Sequence, residues 1–267
     1  MSGTRRALTV GALALYTAAW ILLVLPARAL AVPAEQNCAD PGQDFRGVPW
    51  AQQLLAPERV WPFTRGSGIT VAVLSSGVDA NHPQLAGRVF PGFDAVAGGG
   101  AADSDCLGLG TRVAGVVAAR RVDDVGFAGL APNVTILPVR VIADQHFGST
   151  EVDPTVLARG IAWAAASGAQ VIDVAVAVYV DNTAVRAAVA DALARGVTVV
   201  AAVGDRGDAN GRNPTPYPAA YPGVVGVGAI DQQGNRWSGS AHGDYVDLVA
   251  PGAEMVTLQR GGGMAVN

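Results

Sequence analysis

From Gly68 onward, continuous apolar, β-branched runs alternate with Ala-rich stretches of helical pattern. The apolar runs are Ile69–Leu74, Val134–Val141, Val171–Val178, Val197–Val203 and Val224–Ile230. Unbroken apolarity over such lengths predicts strands buried on both faces, because a strand with one wet face alternates. Between the runs, Thr111–Arg120, Pro154–Ser167 and Asn182–Arg195 are predicted helices. Asp153 before Pro154 is a good helix start, and Gly168 and Gly196 are good stops. Strand, helix, strand at these lengths implies an α/β fold whose parallel strands are joined by right-handed crossovers. Such sheets take ligands outside the carboxyl ends of their strands. Gly204–Pro222 is a polar loop rich in Gly and Pro between two strands, and no internal repeat is present.

The N-terminal pattern is of another kind. Arg5 and Arg6 precede an apolar stretch, Ala7–Pro26, followed by Ala27-Arg28-Ala29 and Ala29-Leu30-Ala31. A charged start, an apolar middle and a small-residue exit are the marks of a secretory signal, here residues 1–31. The stretch is also long enough to span a bilayer, so an uncleaved N-terminal anchor is the competing reading. Cleavage after Ala29 would remove Arg5, Arg6 and Arg28 and no acids, taking the charge from −4 to −7. The expectation is an exported, extracytoplasmic protein, attached to the cell membrane if the anchor is kept.

Composition narrows the picture further. Half of the 267 residues are hydrophobic and 15% are charged, which excludes a disordered chain. Glycine and proline are frequent, at 34 and 16, but have no fixed period, so the chain is not collagen-like. All 18 basic residues are Arg, and none forms a run longer than a pair, which argues against nucleic-acid binding. Cys38 and Cys106 are the only cysteines. In an oxidising compartment an isolated pair usually bonds, and two free thiols are the alternative. A bridge would tie the extension 32–47 onto the main domain. It would close a long loop worth roughly 4 kcal/mol in the chain-entropy model.

Several segments in order then carry a family resemblance. They are ITVAVLSSGVDANHPQL at 69–85, CLGLGTRVAGVVAA at 106–119 and GLAPNVTILPVRV at 129–141. They continue as VTVVAAVGD at 197–205, YPAAYPGVVGVGAI at 217–230 and YVDLVAPG at 245–252. In this order and spacing they resemble the subtilisin-like serine proteases of the S8 family. More closely they resemble the mycosins, the membrane-associated subtilases of type VII secretion systems. The stretch WAQQLLAPERVWPFTR at 50–65 is similar to the mycosin lead-in, and the Cys38–Cys106 pair is similar to a bridge in that family. The resemblance implies a three-layer subtilisin-like fold over residues 48–267, with helices on both faces of the parallel sheet. The closing GGGMAVN at 261–267 resembles the middle of that domain, so the resemblance implies an incomplete domain whose C-terminal part is missing.

The chemistry implied by the resemblance is replaced position by position. A subtilase uses Ser as nucleophile, His as base and Asp to orient the His, with an Asn donor for the oxyanion. Ser75 stands where the family has its Asp, and a hydroxyl cannot stabilise an imidazolium by charge. Leu109 stands where the G-H-G-T pattern has its His, and leucine has no proton to exchange. Asp205 stands where an A-A-G-N pattern has its Asn, and a carboxylate repels a developing oxyanion. No G-T-S pattern for the nucleophile occurs before Asn267. No catalytic residue is therefore expected. In the strand at 171–178 the family commonly has Asn at the place of Asp173 and Ser at that of Ala175.

Other residues could in principle carry chemistry. A local Ser/His/Asp set can be drawn from Ser75 or Ser76, His82 and Asp79, although a His before Pro is a normal feature of the family loop. His146 and His242 read as solvated loop histidines. Asp103 and Asp105 beside Cys106 read as a solvated turn, and no spacing supports a metal or cofactor. Four functions follow: an inactive mycosin-like scaffold at a type VII secretion membrane complex, an unstable fragment, a peptide-binding module, and a hydrolase with a rebuilt site. Expected partners are the secretion membrane components, or peptide segments, and no nucleic acid; oligomeric state is left open.

Overall fold

The apolar runs become the strands of one parallel sheet. The computed structural model describes residues 38–143, 151–208 and 211–266, which belong to one compact unit, Gln36–Asn267. The expected signal or anchor and His146 lie outside the described residues. A short helix α1 (Trp50–Leu55) and a 3₁₀ turn (Pro57–Arg59) lead into β1 (Thr70–Ser75). There follow β2 (Phe93–Asp94), α2 (Leu109–Ala118), β3 (Thr135–Arg140), α3 (Pro154–Ala166) and β4 (Val171–Val174). Next come α4 (Thr183–Ala194), β5 (Thr198–Ala202), β6 (Val225–Ile230) and β7 (Leu248–Pro251). The last elements are β8 (Val256–Leu258) and β9 (Met264–Val266). The seven-stranded sheet has the order β2-β3-β1-β4-β5-β6-β7. Every pairing in it is parallel.

Helix ends follow their local chemistry. The Asp153 carboxylate accepts from the Thr155 amide at 2.7 Å, with Pro154 as the first helical residue of α3. Asn182 accepts from the Ala184 and Val185 amides at the start of α4. Helices α3 and α4 cover one face of the sheet and meet Ala72, Leu74, Ile172, Val174, Val199 and Ala201. Helix α2 and the β8–β9 hairpin lie on the opposite face, over Val71, Val73 and Ile136. These are the two helical layers expected of the fold.

The run 171–178 is not one strand. Pairing ends at Val174, and Val178 instead forms an antiparallel bridge with Tyr217. Strands β2, β7, β8 and β9 arise outside the predicted runs. Each is two to four residues long, too short for a periodic signal.

Cys38 and Cys106 form a disulfide across a sequence separation of 68. The arm after Cys38 continues the attachment. The Ala39 amide donates to the Cys106 carbonyl at 2.8 Å, and Gln43 exchanges two backbone hydrogen bonds with Met264 of β9. Gln259 and Arg260 reach back to the Asp40 and Ala39 carbonyls at 2.9 and 2.7 Å. The arm, the hairpin and the start of α2 thus form one stitched unit.

On the α2 side the sheet is only partly covered. Val171, Asp173, Ala175, Val200, Ala202, Val227 and Ala229 line a hollow of about 500 Å³, with Val113 and Val117 of α2 as one wall. Asp173 is half-buried there, and its carboxyl makes no hydrogen bond among the described residues. Loss of water around the carboxyl pushes its pKa up to about 6.

This packing has two measurable consequences. Reduction, or Cys38→Ser, is expected to lower unfolding stability by about 2–4 kcal/mol. An unchanged midpoint in thermal denaturation with reductant would show that the hydrogen-bonded arm suffices. For Asp173 the folded pKa lies above the unfolded one, so its stability contribution is full below the unfolded value. It falls as pH rises through about 6. Asp173→Asn should remove that loss and stabilise the chain at neutral pH by about 1–2 kcal/mol, discounted because the site is open to solvent. Denaturant melts at pH 4 and pH 8 should then differ less for the variant than for the parent.

Candidate functional site

The carboxyl end of β1 meets the start of α2. Ser75 is the last residue of β1 and is 1% exposed. Its carbonyl accepts from the Val141 and Ile142 amides at 2.7 and 3.2 Å, which fixes the end of β1 against the chain leaving β3. Two glycines let the loop and the helix touch. A Cβ on Gly110 would lie 1.8 Å from the Gly77 carbonyl oxygen and 3.2 Å from the Ser75 Cβ. Gly77 itself has φ +99°, a conformation that side chains resist. Leu109, the first residue of α2, directly precedes the glycine that abuts this loop. Its side chain is half-buried and joins the core shared by α3 and α4.

Asp105 holds this junction together, and the expectation of a solvated turn is corrected here. It is 4% exposed. Its carboxylate accepts from the Ser76 hydroxyl and the Gly108 amide, both at 2.8 Å. It also accepts from the Thr111 amide at 2.8 Å and the Thr111 hydroxyl at 2.7 Å. The Ser76 oxygen accepts in turn from the Gly110 amide at 3.0 Å. A carboxylate at a helix N-terminus satisfies orphan amides and meets the positive end of the dipole. The legible signal was an acid just before a predicted helix; the apolar Cys106-Leu107 between them disguised it as a loop.

Arg140 braces the same edge from β3. It is 5% exposed, lies 3.1 Å from Asp94, and donates to the Ser76 and Ser104 carbonyls at 3.0 and 2.9 Å.

Asp205 lies elsewhere on this edge. It is exposed after β5, on a cleft of about 240 Å³ whose lining includes neither Ser75 nor Leu109. Its carboxylate accepts from the Tyr179 hydroxyl at 3.2 Å, and its amide donates to the same oxygen at 3.1 Å. The Arg206 guanidinium stacks over the Tyr179 ring at 4.5 Å. Burial raises the Tyr179 phenol above its ordinary value, with the Asp205 charge adding to it. Sequence reasoning missed Tyr179, which no local pattern links to a residue 26 positions away.

His82 does not join Ser75 or Ser76 in a catalytic set. It is 2% exposed, with Nε2 at 3.2 Å from the Gly263 carbonyl, while Nδ1 accepts from the Gln84 amide at 3.2 Å. Both ring nitrogens are thus occupied, Nε2 fastening the loop to the β8–β9 turn and Nδ1 holding the loop's own backbone. Burial lowers its pKa, against the smaller opposing pulls of the Gly263 carbonyl and then of Asp79. Asp79 is also engaged, accepting from the Asn81 and Gly261 amides. His242 is exposed in its loop. Among the described residues no group of three or more His, Cys, Asp or Glu is placed to hold a metal ion.

The arrangement offers a hydroxyl, a hydrocarbon and a carboxylate at the three sequence-predicted positions. Ser75 ends β1 against Gly110 of α2, Leu109 turns into the core, and Asp205 sits with Tyr179. No pair among them can pass a proton to and from a nucleophile.

Comparison with known proteins places this architecture. The model of the subtilase family matches residues 66–265. A thermophilic serine proteinase of Bacillus sp. (strain AK1) is 38% identical over 221 residues, covering 81% of this chain and 52% of that protein. Thermitase of Thermoactinomyces vulgaris is 38% identical over 208 residues, covering 76% of this chain and 69% of thermitase. The chain thus spans about half to two-thirds of the length of these relatives. The solved structure of MycP3 protease from the type VII (ESX-3) secretion system aligns with a TM-score of 0.73 at 28% identity. It covers 86% of this chain and 71% of MycP3. With a parallel sheet, helices on both faces and a family match over most of its length, the chain belongs to the subtilase family.

Proposed function

We propose that this chain is a mycosin-like subtilase homologue that does not hydrolyse peptide bonds and acts as an exported structural component beside a type VII secretion complex. The observation that carries the reading is Leu109 at the first turn of α2, packed against the sheet core, with Ser75 at the end of β1 against the next helical residue, Gly110. On this reading Leu109 takes the place of the general base and Ser75 that of its orienting acid. Neither side chain can do that work at any ordinary pH. Asp205, in the place of an oxyanion donor, brings negative charge where negative charge would form. Loss of the catalytic unit in subtilisin itself costs about 2 × 10⁶ in kcat, so turnover here should fall to background.

The disulfide supports export, since such bonds persist in oxidising compartments. The likeness to MycP3 supports the secretion-system context. No described helix is long and apolar enough to cross a membrane, so attachment by the N-terminal segment stays part of the proposal. A second reading, peptide binding without cleavage, is favoured by one feature. The cleft beside Tyr179, Asp205 and Arg206 stays open and carries both charges at its rim.

The purified chain is expected to release no chromophore from peptide anilides above a blank and to take up no fluorophosphonate. Turnover, or label on any serine, would overturn the inactive reading. Detergent extracts of the native membrane should yield secretion-complex subunits together with the tagged chain, and their absence would remove the structural role. Saturable anisotropy with unstructured peptides, unaccompanied by cleavage, would move the weight to the second reading.

A further inference from the structure

We propose that the turn at Val60–Phe63 is a docking site for an anionic phospholipid surface. The described residues expose fifteen large apolar side chains, and five of them (Val48, Leu54, Leu55, Val60 and Phe63) fall within sixteen consecutive positions. Phe63 is 89% exposed, more than any other large apolar side chain among the described residues. Exposed apolar side chains this frequent in one segment, with Phe63 at its tip, point to a contact site.

The turn is built to hold these side chains out. The Val60 and Trp61 amides donate to the Pro57 carbonyl at 2.9 and 3.1 Å, and the Phe63 and Thr64 amides to the Val60 carbonyl at 2.9 and 3.1 Å. The Trp61 indole N–H donates to the Leu130 carbonyl at 3.0 Å, which anchors the turn to the domain. The backbone that carries Phe63 is therefore held in place, with the ring outward.

Charge names the occupant. Residues 46–65 carry Arg46, Arg59 and Arg65 against Glu58 alone, a net +2 in a chain of −4. All four are exposed. Arg59 and Arg65 flank the apolar tip on both sides, and Arg65 lies over the Trp61 ring at 6.0 Å. An apolar tip, an indole at its base and cations at its edges match the layering of a bilayer interface. There the tip meets acyl chains, the indole the headgroup level and the cations anionic phosphates. Where the apolar stretch Ala7–Pro26 is kept as an anchor, it ends 33 residues before Arg59 in the sequence.

The test reads the turn and not merely retention of the whole chain, because the N-terminal stretch can hold the chain on vesicles by itself. Cys38 and Cys106 are bonded to each other, so a single introduced cysteine can be labelled. Phe63→Cys carries an environment-sensitive fluorophore, and Val180→Cys, at a site 72% exposed, serves as the control. Phosphatidylcholine vesicles with and without phosphatidylglycerol are added to the full chain.

A blue shift at 63 that requires phosphatidylglycerol, reverses at high salt and is missing at 180 is the expected result. Arg59→Gln with Arg65→Gln, checked by circular dichroism for an unchanged fold, should lower the ratio of docked to free probe about thirtyfold. That is the scale of two cations at an anionic surface. An unshifted probe at 63 on chains that sediment with vesicles would overturn the proposal and assign the turn to a protein partner. Equal shifts at 63 and 180, or in neutral vesicles, would also overturn it.

Discussion

Strand β1 is buried on both faces, and most of the molecule is arranged around that constraint. Ala72 and Leu74 enter the core under α3 and α4, while Val71 and Val73 enter the core under α2 and β8. With both faces apolar, hydrophobic patterning cannot set the register, since a slip of one residue would bury an equally apolar set. The polar ends set it instead. The Thr70 amide donates to the Gln170 side chain at 2.8 Å, and the Ser75 carbonyl takes the Val141 and Ile142 amides. Once Ser75 is placed, the contact of Gly77 with Gly110 places α2, and Asp105 closes the junction. Helix α2 then supports β8, and the disulfide-linked arm holds the hairpin from outside.

This hierarchy explains what could be read in advance. Continuous apolar runs and Ala-rich helices with sound caps are written locally, so β1, β3, β5, β6 and the three longer helices lie close to the predicted spans. Val171–Val178 misled because the chain stays apolar after it leaves the sheet. Apolarity reports burial, and Val176 and Val178 are buried outside the sheet, Val178 in its bridge to Tyr217. Strands β2, β7, β8 and β9 exist only because a neighbour offers an edge. Ser75 and Leu109 could be singled out because each belongs to a segment resembling the family's. The pairing of Asp205 with Tyr179, and the burial of Asp105, depend on contacts that no local pattern encodes.

Scaffold and chemistry are separable here for a physical reason. On the proposed reading, each replaced position is one where the new side chain is satisfied on the spot. Leu109 adds hydrocarbon to a core. Ser75 puts a small neutral group at a site where a buried carboxylate would need a partner to offset its desolvation. Asp205 keeps its charge in water and gains a phenol donor. None of these changes asks the sheet to move, so the fold can survive the loss of proton-transfer groups. Asp173 is the exception. Its carboxyl stands in an apolar hollow without a hydrogen bond among the described residues, and the cost is visible as a raised pKa. A carboxyl in that position is favoured either by remaining neutral or by a donor laid across the hollow. The desolvation cost at Asp173 therefore falls on the partly covered face of the sheet and not at the junction of β1 with α2.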